Sequence, residues 1–386
     1  MMTERPGSDG NRCPTMEDPR EEECLPRRGL LGQAKLGALR LAAASGVSHF
    51  LRDSSWRQQR LLILCYHGVA RYDEHEWNAA TYITAERLRR RMQLLVQERC
   101  NVLPLAEAAR RLQSGTLPPR AVAITFDDGF HDFYSVAFPI IESFDFPVTL
   151  YLTTYYVEYN RPVFPVMCSY LLWKGRLQQT LQWPEVLPGP FALDSAGRQG
   201  AATAINKFAL SRKLSSRQKD ALLSDLAQRL DIDYQDLCQR RVLCLITADE
   251  AKSLAARGVD LEYHTHRHCV YPGRERMFAE LNDNRRRLET YSTDHPRHFC
   301  YPSGLHRPEH LESLAAYGIS SATTCHSGLC TAQTHPLLLP RFLDMMGVSE
   351  LEFRSWLAGT ASLLPKRAEA VSEGQTAEMQ LAAMTE

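Results

Sequence analysis

Short apolar runs alternate along this chain with longer segments whose apolar residues recur every three or four positions, the pattern of strands interleaved with helices. Leu61–Tyr66, Ala121–Thr125 and Pro147–Leu152 are compact, mostly apolar runs, as expected of strands covered on both faces. Ala85–Gln97 carries Leu88, Met92 and Leu95 on one helical stripe, and Leu105–Ser114 reads as a second helix. Further on, Val259–His268 is a short strand-like run ending in polar residues, and Arg276–Tyr291 is helical with Met277, Leu281 and Leu288 inward. Arg307–Tyr317 has Pro308 at its start and Gly318 just past its end, both standard helix punctuation. Ile319–Thr324 and Leu337–Leu343 supply the last strands. Such alternation implies a mostly parallel sheet or barrel with its functional residues at the strand C-terminal ends.

Residues 156–245 interrupt the alternation and read as a mainly helical insertion, Ser216–Leu230 being its clearest helix. Tyr155, Tyr156, Tyr159, Phe164, Tyr170 and Trp173 gather where it leaves the strand pattern. Aromatic faces stack well on sugar rings, but such a cluster serves equally as core. Residues 1–28 are polar and charged, which predicts disorder; 29–52 form a helix through Leu31, Leu36, Leu39 and Ala43, either packed on the body or lying on a membrane surface. The expected organisation is a disordered N-terminus plus helix (1–55), two halves of one domain (56–155 and 246–360) flanking the insertion (156–245), and a flexible tail (361–386). Arg87, Arg89, Arg90 and Arg91 are expected to form a solvated helix face with one member snorkelling.

Composition narrows the function classes. A hydrophobic share of 44% in 386 residues is ample for a core, and 45 basic against 45 acidic residues give no overall pull toward nucleic acid. The eleven cysteines have no regular spacing, and Cys65, Cys244 and Cys300 lie inside apolar runs, which suits buried free thiols in a reducing compartment. No secretory h-region is visible, and no stretch reaches the ~20 apolar residues that span a bilayer. The expected location is cytoplasmic, with peripheral contact at the inner membrane surface left open.

Two segments carry the chemistry. Thr125-Phe126-Asp127-Asp128-Gly129 places adjacent carboxylates at the end of an apolar strand, where neighbouring side chains can be aimed at different targets. His264, His266 and His268 alternate in Tyr263-His264-Thr265-His266-Arg267-His268. An extended chain would put all three on one face, and a helical turn would bring His264 near His268. Two imidazoles and a carboxylate suit a divalent transition-metal ion, zinc first among them. Thr265 stands where a metalloprotease motif needs its glutamate.

With Thr-Phe-Asp-Asp-Gly followed by His-Thr-x-x-His, the chain resembles the polysaccharide deacetylases, the NodB-homology domains of carbohydrate esterase family four, over roughly residues 60–155 and 245–345. The resemblance implies a distorted (β/α) barrel. It makes Asp127 the general base, Asp128, His264 and His268 the ligands of one divalent ion (Zn, with Co, Ni, Mn or Fe as alternatives), and Thr265 and His266 supporting residues. The family's Arg-x-Pro-Tyr motif is altered here to Cys300-Tyr301-Pro302-Ser303, so Arg341 becomes a candidate partner for the base and the Ser303 backbone a candidate oxyanion donor. The late Leu-x-His acid is absent, and the early Tyr66-His67 resembles a branch that supplies the acid from there, His67. The implied substrate is an N-acetylated glycan, or a lipid- or nucleotide-linked precursor, deacetylated to acetate and a free amine. The layout further predicts that His67 sits across the metal from Asp127. Two other classes share the residues: an iron-dependent oxygenase, which would leave Asp127 without a role, and an inactive glycan-binding protein on the same fold.

Overall fold

The computed structural model describes residues 29–364. The disorder expected for 1–28 and most of the expected tail lie outside the described residues. Eight parallel strands form the central sheet: β1 (Leu62–Tyr66), β2 (Asn101–Val102), β3 (Ala121–Phe126), β4 (Thr149–Leu152), β5 (Asp260–Tyr263), β6 (His298–Cys300), β7 (Ser321–Thr323) and β8 (Phe342–Leu343). The order across the sheet is β7-β6-β5-β4-β3-β1-β8, with β2 pairing the start of β3. An isolated parallel bridge from Thr323 to Leu339, just ahead of β8, draws the two edges toward each other. The result is a curled, distorted (β/α) barrel. Every residue of β1 and of β3 is buried, which is why both read as unbroken apolar runs.

Parallel strands place all their C-terminal ends on one rim. β1 and β3 pair in register from Leu62–Val122 to Tyr66–Phe126. The next position along brings His67 and Asp127 side by side, although some sixty residues separate them in the chain. The Asp127 N–H extends the ladder by one bond, donating to the Tyr66 carbonyl at 2.9 Å.

Three expectations need correction. The helix read across 29–52 is two helices, Leu30–Ala44 and Val47–Asp53, broken where Gly46 takes φ 79°, a left-handed conformation that glycine adopts without a Cβ clash. Its Leu39 is buried in the core while Leu31, Leu41 and Phe50 stay exposed. The strand expected at Leu337–Leu343 shrinks to Phe342–Leu343, because Pro336 opens a 3-10 turn and Pro340 has no N–H for a ladder. The arginine cluster on Ala85–Gln97 is not a solvated face: Arg87 and Arg91 are buried. Arg91 pairs with buried Asp344 at 3.0 Å, and Arg87 donates to the carbonyls of Met346 and Val348, so both pin the segment after β8.

Between β4 and β5 the chain builds helices α1 (Phe164–Lys174), α2 (Ser195–Ser211) and α3 (Ser216–Arg229). They form their own apolar cluster around Leu171, Ile205, Leu223 and Leu226, joined to the rest through Tyr82 and Trp77. Phe164 and Tyr170 of the aromatic group are buried in it, whereas Trp173 lines a cavity. Cys65, Cys244 and Cys300 are buried free thiols. Among the described residues, no helix is long and apolar enough to cross a membrane.

Candidate active site on the strand rim

The Asp-Asp-Gly turn separates its two carboxylates. Asp127 keeps strand geometry, while Asp128 turns left-handed at φ 70° and Gly129 follows at φ 89°. A Cβ on Gly129 would stand 2.2 Å from Leu152 Cδ1, so both the angle and the space call for glycine. Asp127 therefore faces the barrel interior and Asp128 the histidines.

The histidine segment is neither strand nor helix. Thr265 and His268 are both left-handed, at φ 63° and 59°, and the chain coils back so that the His264 and His268 rings lie 4.9 Å apart. Thr265 Oγ1 accepts the Cys269 N–H at 2.9 Å and closes this loop. Non-glycine residues held in this region cost about 1–3 kcal/mol each and persist where surrounding contacts over-determine them.

Asp128 Oδ1 stands 3.1 Å from His264 Nε2 and 3.2 Å from His268 Nε2. Donors each about 2.0–2.2 Å from a shared zinc-like ion lie roughly 3–3.5 Å from one another, so the three atoms are spaced as ligands of one cation. His264 Nδ1 lies 2.9 Å from the Cys300 carbonyl; donating there leaves Nε2 as a bare acceptor, the state a metal ligand needs. The donor set and its spacing fit a divalent ion. Burial alone would raise the Asp128 carboxyl, but the imidazoles set against it, His268 first, hold it well below the usual carboxylate range. Two further trios, Cys65–His67–Asp127 and Asp127–His264–Cys300, also gather within ligand distance. They fit a cation less well, since burial pushes both thiols up and so keeps them protonated.

Asp127 is 2% exposed and Arg341 0%, and the two meet as a fork: Nη1 to Oδ1 and Nη2 to Oδ2, each 2.7 Å. Arg341 is itself held by the Thr324 carbonyl at 3.0 Å and Thr125 Oγ1 at 3.2 Å. Desolvation would push the Asp127 carboxyl up; the Arg341 charge and its two hydrogen bonds outweigh this and hold it down at about 2. Cys300 Sγ, where the family motif has arginine, lies 3.4 Å from Asp127 Oδ2 and 3.2 Å from Arg341 Nη2. The guanidinium thus reaches the carboxylate from the residue just ahead of β8.

His67 Nε2 lies 3.6 Å from Asp127 Oδ2, and its side chain is 21% exposed. The arrangement expected across the metal is corrected here: the β1–β3 register sets His67 beside Asp127. His266 turns away from the cluster, its Nδ1 2.9 Å from Thr154 Oγ1, and burial pulls it down to about 4, neutral at ordinary pH. Tyr301 does not reach the rim, because its buried hydroxyl donates to the Leu337 carbonyl at 3.1 Å. Ser303 sits in a tight turn at φ 55°, ψ 16°.

One positioning residue went unread in the sequence. Asn284 is fully buried; its Oδ1 accepts the His264 N–H at 3.1 Å, and its Nδ2 donates to the Leu152 carbonyl and to Thr154 Oγ1, both at 3.0 Å. It ties the ends of β4 and β5 together under the histidines. Its signal was available: Asn284 falls on the Met277–Leu281–Leu288 stripe, where a polar residue needs a buried partner.

His67 and Asp128 open into a cavity of about 520 Å³ whose other wall comes from α1 and α2. The polysaccharide deacetylase family model matches residues 114–322. No curated protein matches the chain. Among solved structures, the Streptococcus pyogenes deacetylase PplD, determined in complex with acetate, is 17% identical with a TM-score of 0.51, covering 79% of this chain and 99% of that one. IcaB from Ammonifex degensii is 18% identical with a TM-score of 0.48, covering 78% and 97%. A de-N-acetylase from Aggregatibacter actinomycetemcomitans is 14% identical with a TM-score of 0.49, covering 77% and 99%. At such identities the likeness to PplD speaks for the fold alone, and it agrees with the curled parallel barrel. The family match spans more than half of the chain and both of its carboxylate and histidine segments, and the chain belongs to the polysaccharide deacetylase family.

Proposed function

We propose that this protein is a metal-dependent N-deacetylase acting on an N-acetylhexosamine within a glycan or a glycan precursor. The observation that carries the reading is the Asp128–His264–His268 trio set one residue away from an arginine-clamped carboxylate on the same rim. Asp128, His264 and His268 would hold one divalent ion, zinc by donor type. When bound, such an ion polarises an amide carbonyl and acidifies a water.

The chain's own residues do the rest. Asp127, kept ionised and oriented by Arg341, takes the proton of the attacking water as oxygen bonds to the carbonyl carbon. The Ser303 N–H is the candidate donor to the developing oxyanion, a contribution of about 3 kcal/mol for one such donor. His67 gives a proton to the leaving nitrogen as the C–N bond breaks. Because His67 stands 3.6 Å from Asp127, the proton taken by the base has a short path back to the acid. Acetate and a free amine result. Thr265, His266 and Asn284 hold the histidine loop in its coiled form.

His67→Ala tests the acid directly. It should slow amide hydrolysis by about 100-fold or more, as for loss of a general acid, yet spare an activated aryl acetate, whose leaving group needs no proton. Metal content should stay unchanged. Equal losses on both substrates would remove His67 from the acid role.

A further inference from the structure

The chemistry above occupies only one end of the cavity. From His67 and Asp128 the space runs to the wall made by Trp173 of α1 and by Arg198, Thr203 and Asn206 of α2, with Trp77 from the short helix Glu74–Trp77. At about 520 Å³ it falls within the usual range of small-ligand sites, about 300–1,000 Å³. An acetamide group and the atoms that attack it need little of that volume, so the rest of the substrate must meet α2.

Arg198 is the charged residue of that far wall, half-buried on the second turn of α2. Its Nη1 donates to the Leu193 carbonyl at 2.6 Å, which fixes the guanidinium and leaves Nε and Nη2 uncommitted. No carboxylate pairs with it among the described residues. The one acidic residue lining the cavity is Asp128, engaged with the two imidazoles at the opposite end. A guanidinium on the cavity wall without a counter-charge presents a fork that suits an anionic oxygen group with two parallel hydrogen bonds.

We propose that Arg198 reads an anionic group, phosphate or carboxylate, carried by the substrate beside the reacting N-acetylhexosamine. On this account α2 is a specificity element and not only a cover. The inference rests on the deacetylase reading, which fixes the end of the cavity that takes the acetamide. It adds a substrate class: charged saccharides are preferred over neutral ones.

Binding to the full-length, zinc-loaded protein is measured by calorimetry for N-acetylglucosamine, N-acetylglucosamine 1-phosphate and N-acetylmuramic acid, with and without Arg198→Gln. At least one charged sugar should bind about tenfold or more tightly than the neutral one, as expected of a charge-assisted pair. Arg198→Gln should erase that preference and leave the neutral sugar's affinity within about twofold. The favoured sugar tells phosphate from carboxylate. Equal affinities, a preference that survives Arg198→Gln, or no measurable binding of either charged sugar overturns the proposal. Acetate release from a neutral N-acetylglucosamine oligomer, followed in parallel, separates the two readings. Acetate without an anion preference discards the role of Arg198 alone, and an anion preference without acetate discards the deacetylase reading alone.

Discussion

Alanine at Asp128, His264 or His268 will remove bound metal and acetate release together. Both imidazole nitrogens lie 3.1–3.2 Å from Asp128 Oδ1, and a site left with two protein ligands holds a labile ion weakly. The Asp128 and His268 variants should also fold, since both side chains are partly exposed to the cavity. His266→Ala should keep the metal, because its ring faces Thr154 and not the cluster. Metal analysis after dialysis, run beside an acetate assay, reads all four. Metal lost from His266→Ala but retained by His264→Ala would mean the ligand set is misassigned.

The second large effect is on stability. Arg341→Met strips the counter-charge from a carboxylate that is 2% exposed, and removing one partner of such a buried pair typically costs about 3–5 kcal/mol. Asp127 would then lose the charge and hydrogen bonds that chiefly offset its desolvation and be driven toward taking up a proton, so activity should fall sharply along with the stability. Asp127→Asn should cut turnover by about 100-fold or more. It will also destabilise the fold, because it removes the counter-charge of buried Arg341 and one of the two carboxylate oxygens that its fork engages. The double variant Arg341→Met/Asp127→Asn should cost clearly less than the sum of the singles, as for partners in one network. Urea titration of the four proteins decides it. A loss under about 1 kcal/mol for Arg341→Met would mean the pair is not the buried clamp described, since that is the range of exposed ion pairs.

The sequence carried the barrel in its alternation of buried runs and striped helices, and it carried the Asp128–His264–His268 cluster in two short motifs whose residue types and order are specific. Arg341 was visible only as a candidate, because nothing local links it to Asp127; the link is made by β8 lying beside β1 and the Thr323–Leu339 bridge. The placement of His67 shows the same limit. Its neighbourhood follows from a parallel register, which hydrophobic pattern does not specify across sixty intervening residues. Periodicity placed the helices but misjudged the charges on them: Arg87 and Arg91 flank the Leu88–Met92–Leu95 stripe and are buried, since the segment after β8 offers them carbonyls and Asp344. Asn284 stood on a buried stripe and was passed over for the same reason, its partners being on other strands. The strand expected over Leu337–Leu343 failed for a local cause, Pro336 just ahead of the run and Pro340 within it.

The central claim is that a divalent ion on Asp128, His264 and His268 is required for N-deacetylation. The most direct measurement takes the full-length protein, removes metal with a chelator, and restores zinc in steps while acetate release from an N-acetylglucosamine oligomer and bound zinc are both recorded. The account predicts negligible acetate from the stripped protein and a rise in rate that tracks bound zinc to saturation at about one ion per chain, as for a single catalytic site. Full acetate release from metal-free protein, or metal bound at that ratio with no acetate from any N-acetylated sugar tested, would contradict it.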